Sequence, residues 1–189
     1  MLESITFPQF PQYKVFLSLV KNLKQEEIST IKSNLISGNS QYDYCFLNTR
    51  YIISREHLLQ SIYKSILNDS NGTKIAKTLN SEIIFNLSPV NNIGDALKKF
   101  GISEDCPNCI VIKVFKDPTT EGSELSEELA EIIHGDNTEL TDDEIFTNLV
   151  DIPKFKKLYK LNDAKISETE NLQGQLTRLA IGACVLRGC

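Results

Sequence analysis

Residues 79–115 constrain the fold of this chain more than any other stretch. They read LNSEIIFNLSPVNNIGDALKKFGISEDCPNCIVIKVF: an apolar run, a turn, a short amphipathic segment and a second apolar run. Ser81 to Leu87 mixes β-branched and aromatic residues with polar ones, which predicts a sheet strand with one covered face; Ser88-Pro89 stops it. Asn92 is placed to cap a helix whose Ile93, Ala96, Leu97 and Phe100 recur at helical spacing, and Gly101 stands where a left-handed C-terminal cap is expected. Ile110 to Phe115 reads as a second strand. Such a strand, helix and strand can carry two parallel strands or end in an antiparallel return, and the sequence leaves both open.

The flanking segments extend the same mixed pattern. Ile5 to Phe7, interrupted by Pro8 and Pro11, is predicted as a short edge strand, because proline cannot donate to a central ladder. Tyr13 to Val20 reads as a longer strand. Ile28, Ile31 and Leu35 predict a helix over 25–35 that ends before Gly38. Tyr42 to Leu47 is a strand candidate and Asn48 to Tyr51 a turn. Ser54 suits the N-cap of a helix to about Asn68, whose Leu58, Leu59, Ile62, Tyr63, Ile66 and Leu67 form an apolar stripe. After a turn-rich loop, Asp117 to Gly122, Ser126 is placed to cap a helix with Leu129, Ile132 and Ile133 inward and Gly135 closing it. Thr141 to Glu144 has capping-box spacing, and Pro153 suits the first turn of a short helix through Tyr159. Ser167 to Glu170 is a second box before a last helix. There Leu172, Leu176, Leu179, Ala180, Ala183 and Leu186 share a face, and Gly174 and Gly182 keep the surface low. The expectation is one compact domain over residues 1–189, α+β in class, with a small β-sheet packed against a set of helices.

Composition serves mainly to exclude. At 189 residues, 41% hydrophobic and 24% charged, the chain is able to bury a core without staples. No apolar run approaches the roughly 20 residues that cross a bilayer, and the opening residues lack a basic flank before an apolar segment, so an intracellular protein is expected. A net charge of -5 argues against a general nucleic-acid coat. Five cysteines without a secretory signal predict unbridged thiols. Cys106-Pro107-Asn108-Cys109 has the spacing of a thiol oxidoreductase, but that chemistry needs the first thiol at a helix N-terminus, and here the pair precedes a strand. No second pair completes a zinc site, and no glycine-rich phosphate loop occurs. His57 and His134 fall within predicted helices as partly exposed side chains. Two surfaces remain. Lys74 to Lys77 with Arg50 and Arg55 form either a phosphate contact or a solvated face. The last helix faces either the core or a protein partner.

The order of short motifs is more specific than any one of them. Leu79-Asn80-Ser81-Glu82, Leu87-Ser88-Pro89, Asn92-Ile93-Gly94-Asp95-Ala96 and Lys99-Phe100-Gly101-Ile102 resemble the family of the small kinase-binding subunit of the KEOPS (EKC) complex, known in animals as the PRPK-binding protein. Phe7 to Pro11 with Val15 to Leu19 resembles the family's opening, and Leu59 to Leu67 its first long helix. Leu158 to Leu161 and Leu186 to Gly188 resemble its fungal members. The resemblance implies a small sheet against several helices and a non-enzymatic subunit with no cofactor and no metal. It implies direct binding and stimulation of the small atypical kinase/ATPase of the complex, with other KEOPS subunits reached indirectly. It further implies support of threonylcarbamoyladenosine formation in tRNA, contact with the tRNA 3′ CCA end as in archaeal members, a link to telomere maintenance, and residence in nucleus and cytoplasm. The kinase contact is then expected at Ile93, Ala96, Leu97 and Phe100 together with Leu176, Leu179 and Ala183. A tRNA contact is expected at Arg55, Lys74 and Lys77. The alternatives are a thiol-disulfide oxidoreductase using Cys106 and Cys109, and a stand-alone tRNA-binding module.

Overall fold

The structure, a computed structural model, describes residues 2–167 and 170–187. In chain order its elements are β1 (Glu3–Ile5), β2 (Lys14–Lys21), α1 (Gln25–Ser37), β3 (Cys45–Asn48), α2 (Arg55–Ser70), α3 (Leu79–Leu87), α4 (Ile93–Phe100), β4 (Cys109–Phe115), α5 (Gly122–Ile132), β5 (Asp136–Thr138), α6 (Asp142–Glu144), α7 (Ile152–Leu158) and α8 (Leu172–Val185). A π-helical turn, Ile145–Leu149, follows α6, and 3₁₀ turns occupy Ser40–Tyr42 and Thr49–Tyr51. The fold is mixed α+β. By contacts the chain divides into two units, Met1–Asn48 with Gly101–Glu139, and Thr49–Phe100 with Leu140–Cys189.

The first unit holds the sheet. Its strands run in the order β1-β2-β4-β3, with β5 sharing the edge of β2 beside β1, and every pairing is antiparallel. Neither arrangement expected of residues 79–115 forms, because Ser81 to Leu87 is not a strand; β4 instead pairs antiparallel with β2, with Phe16 opposite Lys113 and Val20 opposite Cys109. Phe16, Val20, Phe46, Cys109 and Val111 project into one cluster with Ile28 and Ile31 of α1 and Leu125 and Leu129 of α5. Burying each of these large side chains contributes about 1.5–3 kcal/mol. Helix α1 ends as predicted on Gly38, whose φ of 72° is the left-handed conformation that spares the last carbonyls.

Several boundaries differ from expectation in this unit. The edge strand is Glu3–Ile5, not Ile5 to Phe7, and β3 begins at Cys45 because Ser40–Tyr42 winds as a 3₁₀ turn capped by Asn39. Ser126 lies inside α5 instead of capping it. The helix starts at Gly122 because Leu125, ahead of the predicted cap, is buried with Leu129. Gly135 is needed for space and not for a helix cap: a Cβ there would stand 2.6 Å from the Lys21 carbonyl oxygen and from Val20 Cγ1. Gly101 likewise has no positive φ; it bridges Leu47 in extended form.

The second unit is helical. The largest correction is Ser81 to Leu87, predicted as a strand and found within α3. Glu82 to Leu87 are all buried, polar Glu82 and Asn86 included, so the helix has no exposed polar face in this stretch and its 3.6-residue period leaves no trace in the sequence. Thr78, whose side chain accepts from Ser81 N, was the local signal for a helix start. Helix α2 begins as predicted, with Ser54 Oγ accepting from His57 N. Its buried arc is Leu58, Ile62 and Ile66 together with His57, Ser61 and Ser65, while Leu67 of the predicted stripe reaches the surface. Asn92 Oδ1 accepts from Asp95 N at the start of α4, Thr141 Oγ1 accepts from Glu144 N, and Pro153 lies in the first turn of α7, all as predicted. Helix α8 is capped by Asn171 and not by a box at Ser167 to Glu170; Glu168 and Thr169 of that box lie outside the described residues. Packing pairs α2 with α3, α3 with α4, and α2 with α8.

Candidate functional site

Helix α8 presents two different arcs. Its inner arc is bonded along its length to the rest of the helical unit. Gln173 Nε2 donates to the carbonyls of Ile53 (2.9 Å) and Asp142 (2.8 Å), and Thr177 Oγ1 donates to Ser54 Oγ (2.8 Å). Lys64 Nζ donates to the Cys184 carbonyl (3.3 Å), and the Cys184 thiol donates to the Leu87 carbonyl (3.3 Å). Leu176 and Ala180 fill the spaces between.

The outer arc is apolar and uncovered. Leu179 lies three and four residues before the adjacent Gly182 and Ala183, and Leu186 four and three after them, so they form a single stripe. Leu179 is 40% exposed and Leu186 66%, and no atom lies within 4 Å of where a Gly182 Cβ would stand. Val185 widens the stripe at 49% exposed. The face predicted for this helix therefore straddles the boundary: Leu176 and Ala180 turn in, Leu179 and Leu186 turn out, and Ala183 is half-buried. Helix α4 divides in the same way. Ala96 and Phe100 are buried, Ile93 is half-buried, and Leu97 is 42% exposed. Of the residues expected to meet a kinase, Ala96, Phe100 and Leu176 are thus occupied inside their own unit.

The inner arc of α8 ends on a buried polar node. Against the expectation of a partly exposed side chain, His57 is completely buried, and burial pushes its pKa down to about 3. The Tyr159 hydroxyl donates to the Leu87 carbonyl (2.6 Å), so the neutral imidazole donates from Nε2 to Tyr159 Oη (3.0 Å) and accepts at Nδ1 from Ile53 N (3.5 Å). Burial also raises the Cys184 thiol to about 11. Such groups form a structural pin, with no proton to exchange near neutral pH. His134 lies just beyond α5 and is exposed beside Glu27.

The basic residues are not assembled as expected. Arg55 stands at the first turn of α2, whose 16 residues span roughly 24 Å, and Lys74 and Lys77 follow its far end. Arg55 Nη1 donates to the Leu140 carbonyl (2.5 Å), Lys74 pairs with Asp69 (2.8 Å), and Lys77 is exposed. Sequence reasoning missed a different basic group. Tyr51, Lys99, Lys154, Lys157 and Leu158 line a cavity of about 400 Å³ in the helical unit. The doublets Lys98-Lys99 and Lys156-Lys157, each in the last turn of its helix, were its only sequence signal.

Thiol chemistry finds no support. Cys106 precedes β4 and is buried, its thiol donating to the Asn108 carbonyl (3.3 Å), and burial raises the Cys109 thiol well above the ordinary range. Cys45, Cys106, Cys109 and Cys184 are all buried thiols; Cys189 lies outside the described residues. Among the described residues no group of three or more His, Cys, Asp or Glu is placed to hold a metal ion, and no helix is long and apolar enough to cross a membrane.

Comparison with known proteins gives these surfaces a context. The model of the family described as kinase binding protein CGI-121 matches residues 20–188. The chain is 57% identical to the EKC/KEOPS complex subunit CGI121 of Candida albicans over 199 aligned residues, covering 98% of each chain. It is 52% identical to the subunit of the same name from Debaryomyces hansenii, covering 99% of this chain and 98% of the relative. Against the Aspergillus fumigatus subunit the identity is 32%, with 99% and 97% covered. With a family match through most of its length and relatives aligned almost end to end, the chain belongs to the kinase-binding protein CGI-121 family.

Proposed function

We propose that this chain is a non-catalytic subunit of an EKC/KEOPS complex that binds the small kinase/ATPase of that complex with the outer arc of α8 and stimulates it. The observation that carries the reading is the uncovered stripe of Leu179, Gly182, Ala183 and Leu186, in a member of a family described as kinase-binding. Covering these leucines, 40% and 66% exposed, contributes a corresponding fraction of the about 1.5–3 kcal/mol of a full burial, and Gly182 lets a partner helix approach the backbone. Leu97 and the half-buried Ile93 of α4 give a second, smaller apolar contact. No reacting group is required of this chain. A helix that binds one kinase conformation better than another shifts their populations by its differential affinity. Through the kinase the chain supports threonylcarbamoyladenosine formation on tRNA and, in a fungal setting, telomere maintenance, in nucleus and cytoplasm.

Calorimetric titration of the kinase with the full chain, together with its ATP hydrolysis rate, tests the reading. Leu179→Glu combined with Leu186→Glu is expected to lower affinity at least tenfold, about 1.4 kcal/mol or more, and to abolish stimulation. Ile36→Glu, an 86% exposed apolar residue on the sheet unit, is expected to change neither. Undiminished binding by a folded double variant overturns the placement.

A second contact follows from the lysine-lined cavity. Lys99, Lys157 and Lys154, the last paired with Asp151 (3.4 Å), surround the half-buried Tyr51, whose ring packs on Phe100, and cations beside an aromatic ring are the combination that single-stranded RNA uses. The tRNA contact is therefore proposed there and not at Arg55 or Lys74. Charge reversal of Lys99 and Lys157 is expected to weaken tRNA affinity of the assembled complex and to flatten its salt dependence, while Lys77→Glu leaves both nearly unchanged.

A further inference from the structure

We propose that Arg187 is a positioning residue, which fixes the last turn of α8 so that Leu179, Gly182, Ala183 and Leu186 meet a partner as one preformed stripe. The proposal rests on the reading of α8 as the kinase-facing helix. Cys184 is the last side chain of α8 buried in the helical unit; Val185 and Leu186 both point outward. The final helical bond, Leu186 N to the Gly182 carbonyl (2.9 Å), closes a turn whose one buried side chain is Cys184, so the chain beyond Cys184 has no apolar anchor, and a helix end without one frays.

Arg187 supplies the anchor from the other side. Its Cζ stands 3.7 Å from the centre of the Phe85 ring. Nη1 donates to the Phe85 carbonyl and to the Ser88 carbonyl (2.9 Å), and Nη2 reaches Asn86 Oδ1 (3.3 Å). These acceptors cluster at the C-terminal end of α3, where unsatisfied carbonyls give a helix its partial negative charge. Three residues before Phe85, the buried side chain of Glu82 acts electrostatically on the same guanidinium. The rigid fork of an arginine satisfies several acceptors at once, which the single ammonium of a lysine does not. One side chain thus ties the outward-facing end of α8 to the fixed end of α3. Binding then avoids the cost of ordering the stripe on contact.

Hydrogen exchange on the full chain, read together with kinase titration, tests the clamp. Arg187→Ala is expected to speed amide exchange over residues 183–187 while residues 173–180 keep their protection, and to weaken kinase binding about tenfold through faster dissociation. Arg187→Lys is expected to fall between the two. Exchange that is unchanged over 183–187, or raised uniformly along the chain, overturns the proposal, as does wild-type affinity despite faster local exchange. Should Arg187→Ala unfold, Arg187→Lys decides by the same criteria. The Leu179→Glu and Leu186→Glu pair separates the two ideas: wild-type binding there removes the kinase reading, whereas the exchange result on Arg187→Ala stands or falls alone.

Discussion

The sheet unit and the helical unit are closed by different chemistry. In the sheet unit Phe16, Val20, Ile28, Ile31, Phe46, Val111 and Leu125 meet as apolar surfaces, with Ser18 and Asn48 as buried polar members. The helical unit buries His57, Ser61, Ser65, Glu82, Asn86 and Thr177 among its leucines and isoleucines. There Asn86 Nδ2 donates to Ser65 Oγ (2.9 Å), and Glu82 accepts from Asn68 Nδ2 (2.8 Å), Ile75 N (3.1 Å) and Ala76 N (2.7 Å). An apolar core tolerates change of about the same volume, because only area and shape are lost. A polar interior does not, because each removed partner leaves another group buried and unpaired.

Substitution of Glu82 offers the strongest way to break this contrast. Glu82→Ala orphans two backbone donors and an amide and is expected to cost about 4 kcal/mol of unfolding free energy in urea titration. Glu82→Gln, nearly the same shape, is expected to remain clearly destabilised, because its amide hydrogens would face other donors. In the sheet unit Phe16→Ala is expected to cost about 3–5 kcal/mol, yet Phe16→Leu less than about 2. Equal penalties for Glu82→Gln and Phe16→Leu would erase the distinction.

Acid sharpens it further. His57 has an ordinary pKa of 6.5 in an unfolded chain and about 3 when folded, so the folded state binds fewer protons below neutrality. Its contribution is fully present above pH 6.5 and is lost progressively as pH falls toward 3. Urea midpoints measured from pH 7 to 4 are expected to fall in the wild type and to fall less steeply in His57→Gln, which starts lower at pH 7. Parallel slopes would remove His57 from the acid response. The smallest effect is expected at the surface of the sheet unit. The Lys32 to Glu104 ion pair (3.0 Å) has both side chains at least 40% exposed, so Lys32→Ala is expected to change stability by no more than about 0.5 kcal/mol.

Legibility in the sequence followed the range of the forces involved. Asn92, Ser54, Thr141 and Gly38 act within a few residues, and each starts or ends its helix as predicted. Strands β2 and β4 were readable from their apolar runs. Helix α3 was not, because burial on every side erased the period that separates helix from strand. Strand β5 is Asp-Asn-Thr and has no apolar signal; it exists because β2 offers an open edge beside β1. The lysine-lined cavity was illegible for the same reason, its residues lying between 51 and 158 in the chain.

By itself the sequence determined the mixed α+β class, the helix caps at Gly38, Ser54, Asn92 and Thr141, the two long strands and the family, since each is written in neighbouring residues or in the order of short motifs. Only the tertiary structure decided which arc of α8 is bonded inward and which is left apolar and open, and that Arg187 closes onto α3. Those outcomes depend on Ser54, Leu87 and Phe85 arriving from about 100 residues away, and a periodic helix carries no record of which neighbour will reach it.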